Sequence, residues 1–434
     1  MREFEGTFLE KFPHKKPKHN LISYKENIME FNPIFRMIVC SDIHYGESTL
    51  HPENFDYRGQ EYDRFEQAVR YAYAYADACD YKTVDAFCAV GDFITTGQEF
   101  EMVDFKASLD RVIRKETDIT LTMASHEYFH DGVDNANERL ARIFGQEPMR
   151  HTVLKGFHII GLSTDDRCQT GVEKQEWLKR ELAAAHADDP KKPIFFMFHP
   201  QFQNTVYGSA VLWRTANITR ITMNHPQVIS FSGHSHAPLN DPRTVHQKHF
   251  TAFGTGAVIG LSLCNADRMP IKQTPTLGQS QLQIVEADAT GRVRVLPMDG
   301  TTGKFLREGW LIEKPYDPDS FVYTDARYDA AEKPTFPEDA KLSAAYEDGR
   351  LTVSVTQAHD GNERVPGYHF AVKDRDGVIW RQFGICSGYY LADMPPVAEY
   401  TVDFDAPAGE YTVVCRAYSF FDKVSDAICT TVVV

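Results

Sequence analysis

The sequence predicts a layered α/β domain over residues 35–310, followed by a small all-β domain over residues 341–434. Three observations carry this. From Phe35 to about Met298, apolar runs long enough for strands buried on both faces alternate with segments of helical periodicity. Around Glu313 to Ala340 the composition shifts to Pro, Asp and Glu, which reads as a linker over residues 311–340. Beyond it, short period-two runs are separated by Gly- and Asp-containing turns.

Residues 1–34 lack clear periodicity and are expected to form an extended N-terminal segment, with the basic stretch Lys11 to Lys18 as a solvated arm. The first strand is Met37-Ile38-Val39-Cys40. Between Glu61 and Asp80, Phe65, Val69, Ala72, Ala76 and Cys79 share one helical face. Ala86 to Val90 is the next strand, and Phe105, Leu109, Val112 and Ile113 mark a second helix. Phe157 to Leu162 precedes a third helix, marked by Trp177, Leu178 and Leu182. Ile194 to Phe198, Val228 to Phe231, Gln281 to Glu286 and Arg292 to Leu296 complete the strands. Such alternation implies a mixed sheet with helices on its faces. In the C-terminal region, Leu351 to Val355, His369 to Val372, Tyr400 to Phe404 and Tyr411 to Ala417 suggest a β-sandwich of fibronectin III or immunoglobulin type. Tyr411, after the turn at Pro407-Ala408-Gly409, is a candidate tyrosine corner.

The chain of 434 residues has 42% hydrophobic and 25% charged residues, ordinary for a globular protein. Its 46 basic and 61 acidic residues give a formal charge of −15, which argues against non-specific binding to nucleic acid or anionic membranes. A nucleotide substrate stays open, because bound cations would reverse the charge locally. No apolar stretch suits a signal peptide or a membrane span, and the eight cysteines lack C-x-x-C spacing. Cys40, Cys88 and Cys415 lie in apolar runs and read as core residues in a reducing compartment, so a cytoplasmic location is expected. Nothing in the sequence specifies an oligomeric state.

Five segments put metal-seeking or proton-handling side chains at the ends of apolar runs: Asp42-Ile43-His44, Gly91-Asp92, Ser125-His126-Glu127, His199 and Gly233-His234-Ser235-His236. Ligands bind at the carboxyl ends of strands in α/β sheets, so these side chains can converge. Alternation along a strand would send Asp42 and His44 to one side, and likewise His234 and His236, unless the chain turns between the latter two so that each serves one ion. Asp92 carries two oxygens, enough to bridge two ions about 3.5–4 Å apart. Mixed N and O donors suit Mn, Fe, Zn, Co or Ni.

The ordered set D-x-H, G-D, x-x-H-E, H and G-H-x-H resembles the calcineurin-like metallophosphoesterase superfamily over about residues 35–300. The resemblance implies a four-layer α-β-β-α sandwich binding two divalent ions. One ion would be held by Asp42, His44, Asp92 and His236, the other by Asp92, Ser125, His199 and His234. It implies hydrolysis of a small-molecule phosphomonoester or phosphodiester by a hydroxide bridging the ions, with His126 assisting. Two departures stand out. Ser125 occupies a position where the family usually has Asn, which puts the second ion in doubt. Thr95 replaces an acidic residue or Asn that often orients the histidine, so His126 is expected to rely on Glu127 or another partner. The alternative is a degenerate site that binds or interacts without catalysis. Tyr45, Tyr128, Phe129 and His130 flank the rim as pocket or packing residues, and the remaining histidines, His225 included, read as structural.

Overall fold

The computed structural model describes residues 31–46, 60–166, 168–209, 213–263, 278–361 and 363–434. The expectations for residues 1–30, and for most of the loop from Tyr45 to Gln60, lie outside the described residues.

The α/β region opens with β1 (Pro33–Cys40), α1 (Gln60–Ala78), β2 (Ala86–Val90), α2 (Glu99–Val112) and β3 (Asp118–Thr122). It continues through α3 (Val133–Arg139), β4 (Met149–Leu154), β5 (Phe157–Leu162), α4 (Val172–Asp188), β6 (Ile194–Met197), α5 (Ala216–Thr222) and β7 (Val228–Ser232). The last strands are β8 (Val245–Gln247), β9 (Thr251–Gly254), β10 (Gln281–Asp288), β11 (Val293–Asp299) and β12 (Trp310–Ile312). The three helices expected from periodicity are present, whereas α3 and α5, each of seven residues, are too short to show a periodic stripe.

Two six-stranded sheets result, ordered β12-β11-β10-β1-β2-β3 and β4-β5-β6-β7-β9-β8. Their facing surfaces share one core, in which Phe35, Met37, Val39, Cys88 and Val90 of the first sheet pack with Phe157, Ile159, Phe195, Met197, Ile229 and Phe231 of the second. On the outer face of the first sheet, Ile38 and Phe87 meet Phe65 and Val69 of α1 and Phe105 and Leu109 of α2. On the outer face of the second, Ile160 and Phe196 meet Leu178 and Leu182 of α4 and Ile218 of α5. This is the four-layer α-β-β-α arrangement. The strands are apolar on both sides because each lies between a helix layer and the opposite sheet. Each fully buried Val, Leu, Ile or Phe contributes ~1.5–3 kcal/mol.

β1 and β2 run parallel, as do β2 and β3, β5 and β6, and β6 and β7. Their carboxyl ends therefore lie at one edge of each sheet, and every metal-seeking segment follows one of these strands.

The segment from 313 to 340 is docked rather than free. It contains α6 (Ala326–Ala330), and the Arg327 guanidinium donates to the carbonyls of Pro242 and Val245, each at 2.7 Å. Phe336 packs on the C-terminal core. Its Pro-rich composition showed an irregular backbone but not these long-range bonds.

The C-terminal region comprises β13 (Leu342–Glu347), β14 (Arg350–Thr356), β15 (His359–Asp360), β16 (Glu363–Arg364), β17 (Gly367–Lys373), β18 (Ile379–Cys386), β19 (Val397–Asp403), β20 (Glu410–Tyr418) and β21 (Ile428–Val433). Sheets β13-β14-β19 and β18-β17-β20-β21 enclose a core that includes Leu351, Val353, Tyr368, Phe370, Val413 and Cys415. The Tyr411 hydroxyl donates to the Pro407 carbonyl at 2.9 Å, the bond expected of a tyrosine corner. Cys40, Cys88 and Cys415 are buried and unpaired. Among the described residues no helix is long and apolar enough to cross a membrane.

Candidate metal centre

The loop after β1 is zipped to the loop after β2 through Asp42 N–H to the Gly91 carbonyl (3.2 Å) and His44 N–H to the Asp92 carbonyl (3.1 Å). The two segments thus enter the site as a pair. Strand alternation does not aim these side chains. Asp42, His44, Asp92, His234 and His236 all have left-handed backbone, with φ of 49°, 47°, 50°, 71° and 53°. Each such residue costs ~1–2 kcal/mol, and Asp and His are among the types that tolerate it best. Neighbouring glycines exist because the side chains crowd the backbone. A Cβ on Gly91 would lie 2.5 Å from the His199 ring, and one on Gly233 would lie 2.4 Å from the Asp42 carboxylate.

The side chains singled out at the rim gather in overlapping groups: Asp42, His44 and His236; His44, Asp92 and His126; and Asp92, His199 and His234. Within each, the donor atoms all lie within 4.8 Å of one another. His236 Nε2 is 3.1 Å from Asp42 Oδ1, and His199 Nε2 is 3.0 Å from Asp92 Oδ2. His44 Nε2 faces His236 Nε2 at 3.3 Å, and His199 Nε2 faces His234 Nδ1 at 3.3 Å. Ser125 Oγ lies 3.4 Å from both oxygens of Asp92, and the His126 backbone N–H donates to Asp92 Oδ1 at 3.1 Å.

Three imidazoles are fixed from behind. His126, His199 and His236 each place Nδ1 at 2.7 Å from a backbone carbonyl, those of Thr95, Val90 and Gly260. A donated Nδ1–H leaves Nε2 with its lone pair for the cluster, the tautomer that a metal-ligating histidine adopts. Thr95 thus does orient His126, but through its carbonyl. Its side-chain hydroxyl is buried without a partner.

Glu127 does not orient His126. Its buried carboxylate instead accepts from four backbone N–H groups: Asp92 (3.2 Å), Phe93 (2.7 Å), Ile94 (3.3 Å) and Ala124 (2.8 Å). It ties the Asp92 turn to the Ser125 turn. Burial, with the Asp92 charge beside it, raises its pKa to about 8, against the pull of those N–H donors.

The charges fit cations. Burial alone would raise Asp42 and Asp92, yet His236 and His199 hold Asp42 below the usual carboxylate range, and His199 holds Asp92 well below it. Against the cost of burial, Asp92 and Asp42 lift His199 to about 10, and Asp42 lifts His236. Burial and the neighbouring His236 and His126 push His44 down to about 3, and its Nδ1 is buried without a partner. Two buried carboxylates thus depend on neighbouring imidazoles for countercharge, where a divalent ion would serve better. Carboxylate oxygens and imidazole nitrogens are the donors that bind divalent transition metals.

At the rim, the exposed Phe129 ring lies 4.5 Å from His126, and the Trp213 ring lies 4.1 Å from His234. Trp213 carried no sequence signal, since it sits in a loop without periodicity. Tyr45 and Tyr128 are buried, the latter donating to the Thr164 carbonyl at 2.8 Å. His225 stacks edge-on to His186 (centroids 5.8 Å apart), and His151 and His158 bond each other between Glu181 and Asp188.

Residues 35–238 match the model of the calcineurin-like phosphoesterase family. No curated protein sequence matches the chain. Among solved structures, a purple acid phosphatase, PPD1, from yellow lupin seeds is similar at 15% identity, over 65% of this chain and 54% of that one, with a TM-score of 0.45. The chain thus spans about half the length of that phosphatase. GAP50 of Plasmodium, described as the anchor in the inner membrane complex, is similar at 11% identity over 64% and 88%, with a TM-score of 0.41. A structure of PhoD is similar at 10% identity over 65% and 69%, with a TM-score of 0.37.

Proposed function

Because residues 35–238 match the model of the calcineurin-like phosphoesterase family, we propose that this protein is a metal-dependent hydrolase of phosphomonoesters or phosphodiesters. The observation that carries this reading is the convergence of Asp42, His44, Asp92, His199, His234 and His236 in overlapping donor groups around two buried carboxylates. In it, Asp42, His44, Asp92 and His236 hold one divalent ion, and Asp92, Ser125, His199 and His234 hold a second, with Mn, Fe, Zn, Co and Ni all compatible with the donors. Two such ions supply Lewis acidity and bring the pKa of water towards about 7.

The chain's own residues then do the following. Asp92 joins the two halves of the site, its turn held by Glu127. The carbonyls of Val90 and Gly260 keep His199 and His236 in one tautomer, so neither needs to reorganise when substrate arrives. His126, with Nδ1 held by the Thr95 carbonyl, offers Nε2 to the phosphoryl group and either steadies its charge or protonates the leaving oxygen. In this reading the catalytic domain spans residues 35–310, residues 311–340 are a docked connector, and residues 341–434 are the β-sandwich.

The test is turnover of p-nitrophenyl phosphate and its bis ester by protein loaded with Mn²⁺. Asp92→Asn is expected to abolish it. No turnover of either ester with two ions bound refutes catalysis. That result would favour a binding role, to which the short Ser125 side chain, 3.4 Å from Asp92, lends weight.

A further inference from the structure

The β-sandwich packs on the segment that grips His236. Val258 N–H bonds the Ser41 carbonyl and Ile259 N–H bonds the Asp42 carbonyl, each at 3.1 Å, so this segment runs beside the first ligand loop. It then turns at Gly260 (φ 71°) and holds His236 from two sides. The Gly260 carbonyl takes Nδ1 at 2.7 Å, and Ser262 N–H donates to the His236 carbonyl at 2.9 Å.

What keeps this segment in place comes from the C-terminal domain. Ala257, Leu261 and Leu263 form one buried cluster with Tyr389, Tyr390, Phe420 and Phe421. Gln281 bridges the same boundary: its Oε1 accepts from Leu239 N–H at 2.7 Å, and its Nε2 donates to the Tyr390 carbonyl at 3.1 Å. Asn240 Nδ2 donates to the Tyr389 carbonyl. Arg243, paired with Asp241 at 2.6 Å, lies between the rings of Tyr207 and Phe420, 3.9 and 5.5 Å from their centroids. Asp92 and His199 are held differently, by Glu127 and the Val90 carbonyl, both within the α/β layers.

We propose that the C-terminal β-sandwich is a working part of the metal centre: by clamping residues 257–263 it positions His236, and so sets the affinity of one ion but not the other. The proposal rests on the reading of Asp42, His44 and His236 as ligands of one ion. Tyr389, Phe420 and Gln281 are positioning residues in this scheme, since they act through the backbone that holds His236 and runs beside Asp42. A partner that orients a ligating imidazole typically controls metal affinity by 10–100-fold.

The experiment titrates the metal-free full chain with Mn²⁺ and follows free and bound ion by electron paramagnetic resonance, with circular dichroism of each variant. Wild type, Tyr389→Phe and Trp380→Ala, the last remote from this boundary on β18, are expected to bind two ions with equal affinities across the three proteins. Tyr389→Ala is expected to keep one ion at wild-type affinity and bind the other ~10-fold or more weakly. Gln281→Ala, which removes the polar bridge and leaves the aromatic cluster, carries the same expectation. Unchanged affinities in both variants overturn the proposal, as does equal weakening of both ions. Wild-type protein that takes up no Mn²⁺ overturns the metal reading itself, and the proposal with it.

Discussion

Glu127 offers the sharpest test of how the centre is held. The residue is fully buried, and its carboxylate is the acceptor for four backbone N–H groups drawn from two turns. Glu127→Ala strands those donors in a site closed to water. A buried donor left unsatisfied costs ~1–3 kcal/mol, so the two shortest bonds alone, at 2.7 and 2.8 Å, imply a loss of ~2–6 kcal/mol. Against this, the carboxyl is itself costly to bury, as its pKa of about 8 records, and removing it returns part of the penalty. The expected net loss is ~3 kcal/mol. Glu127→Gln keeps one acceptor but turns an amide N–H₂ towards donors, so about half that loss is expected. Urea unfolding of the metal-free protein, followed by circular dichroism, measures both. Mn²⁺ affinity should fall in parallel, because the Asp92 turn, with φ of 50°, is no longer pinned. Stability of Glu127→Ala within ~0.5 kcal/mol of wild type refutes the reasoning, because that is the scatter of ordinary surface substitutions.

Two further outcomes follow from the same geometry. Ser125→Asn brings a longer neutral oxygen donor towards Asp92 and should tighten binding of the second ion and raise turnover; unchanged metal content and rate would show that position 125 is not a ligand. Metal binding should release protons and strengthen with pH. His199, lifted to about 10, is protonated near neutrality, His236 is shifted in the same direction, and an ion needs the neutral ring. Below pH ~10, affinity at the His199 site should rise about tenfold per pH unit for each proton released. Calorimetric titration in buffers of different ionisation enthalpy counts these protons, and a count of zero at pH 7 contradicts the electrostatics described above.

Much of the centre was legible in the sequence, because its chemistry resides in residue type. An Asp or His at the end of one apolar run is commonplace, but five such segments in this order are not, so Asp42, His44, Asp92, His199, His234 and His236 stood out. The strands around them were legible too, since runs such as Ile194 to Phe198 are apolar on both faces only when sheet and helix cover both. What escaped were the parts held by the backbone. Every residue has a carbonyl, so nothing in the letters marks those of Thr95, Val90 and Gly260 as the partners of His126, His199 and His236. The left-handed turns at five of the site residues were equally silent, and the alternation argument for Asp42 and His44 reached the right convergence by the wrong geometry.

The sequence by itself thus determined which side chains meet and at which edge of the sheets, since hydrophobic periodicity sets the strands and residue chemistry marks their ends. Only the tertiary structure decided how they are aimed. It chose the Thr95 carbonyl over Glu127 as the partner of His126 and made Glu127 the anchor of the Asp92 turn, docked the segment after residue 313, and seated the β-sandwich on the loop behind His236. The physical reason is that these are contacts between residues far apart in the chain, made largely through peptide groups that all residues share. Their selection depends on where the packed layers bring the backbone, and no local pattern records that.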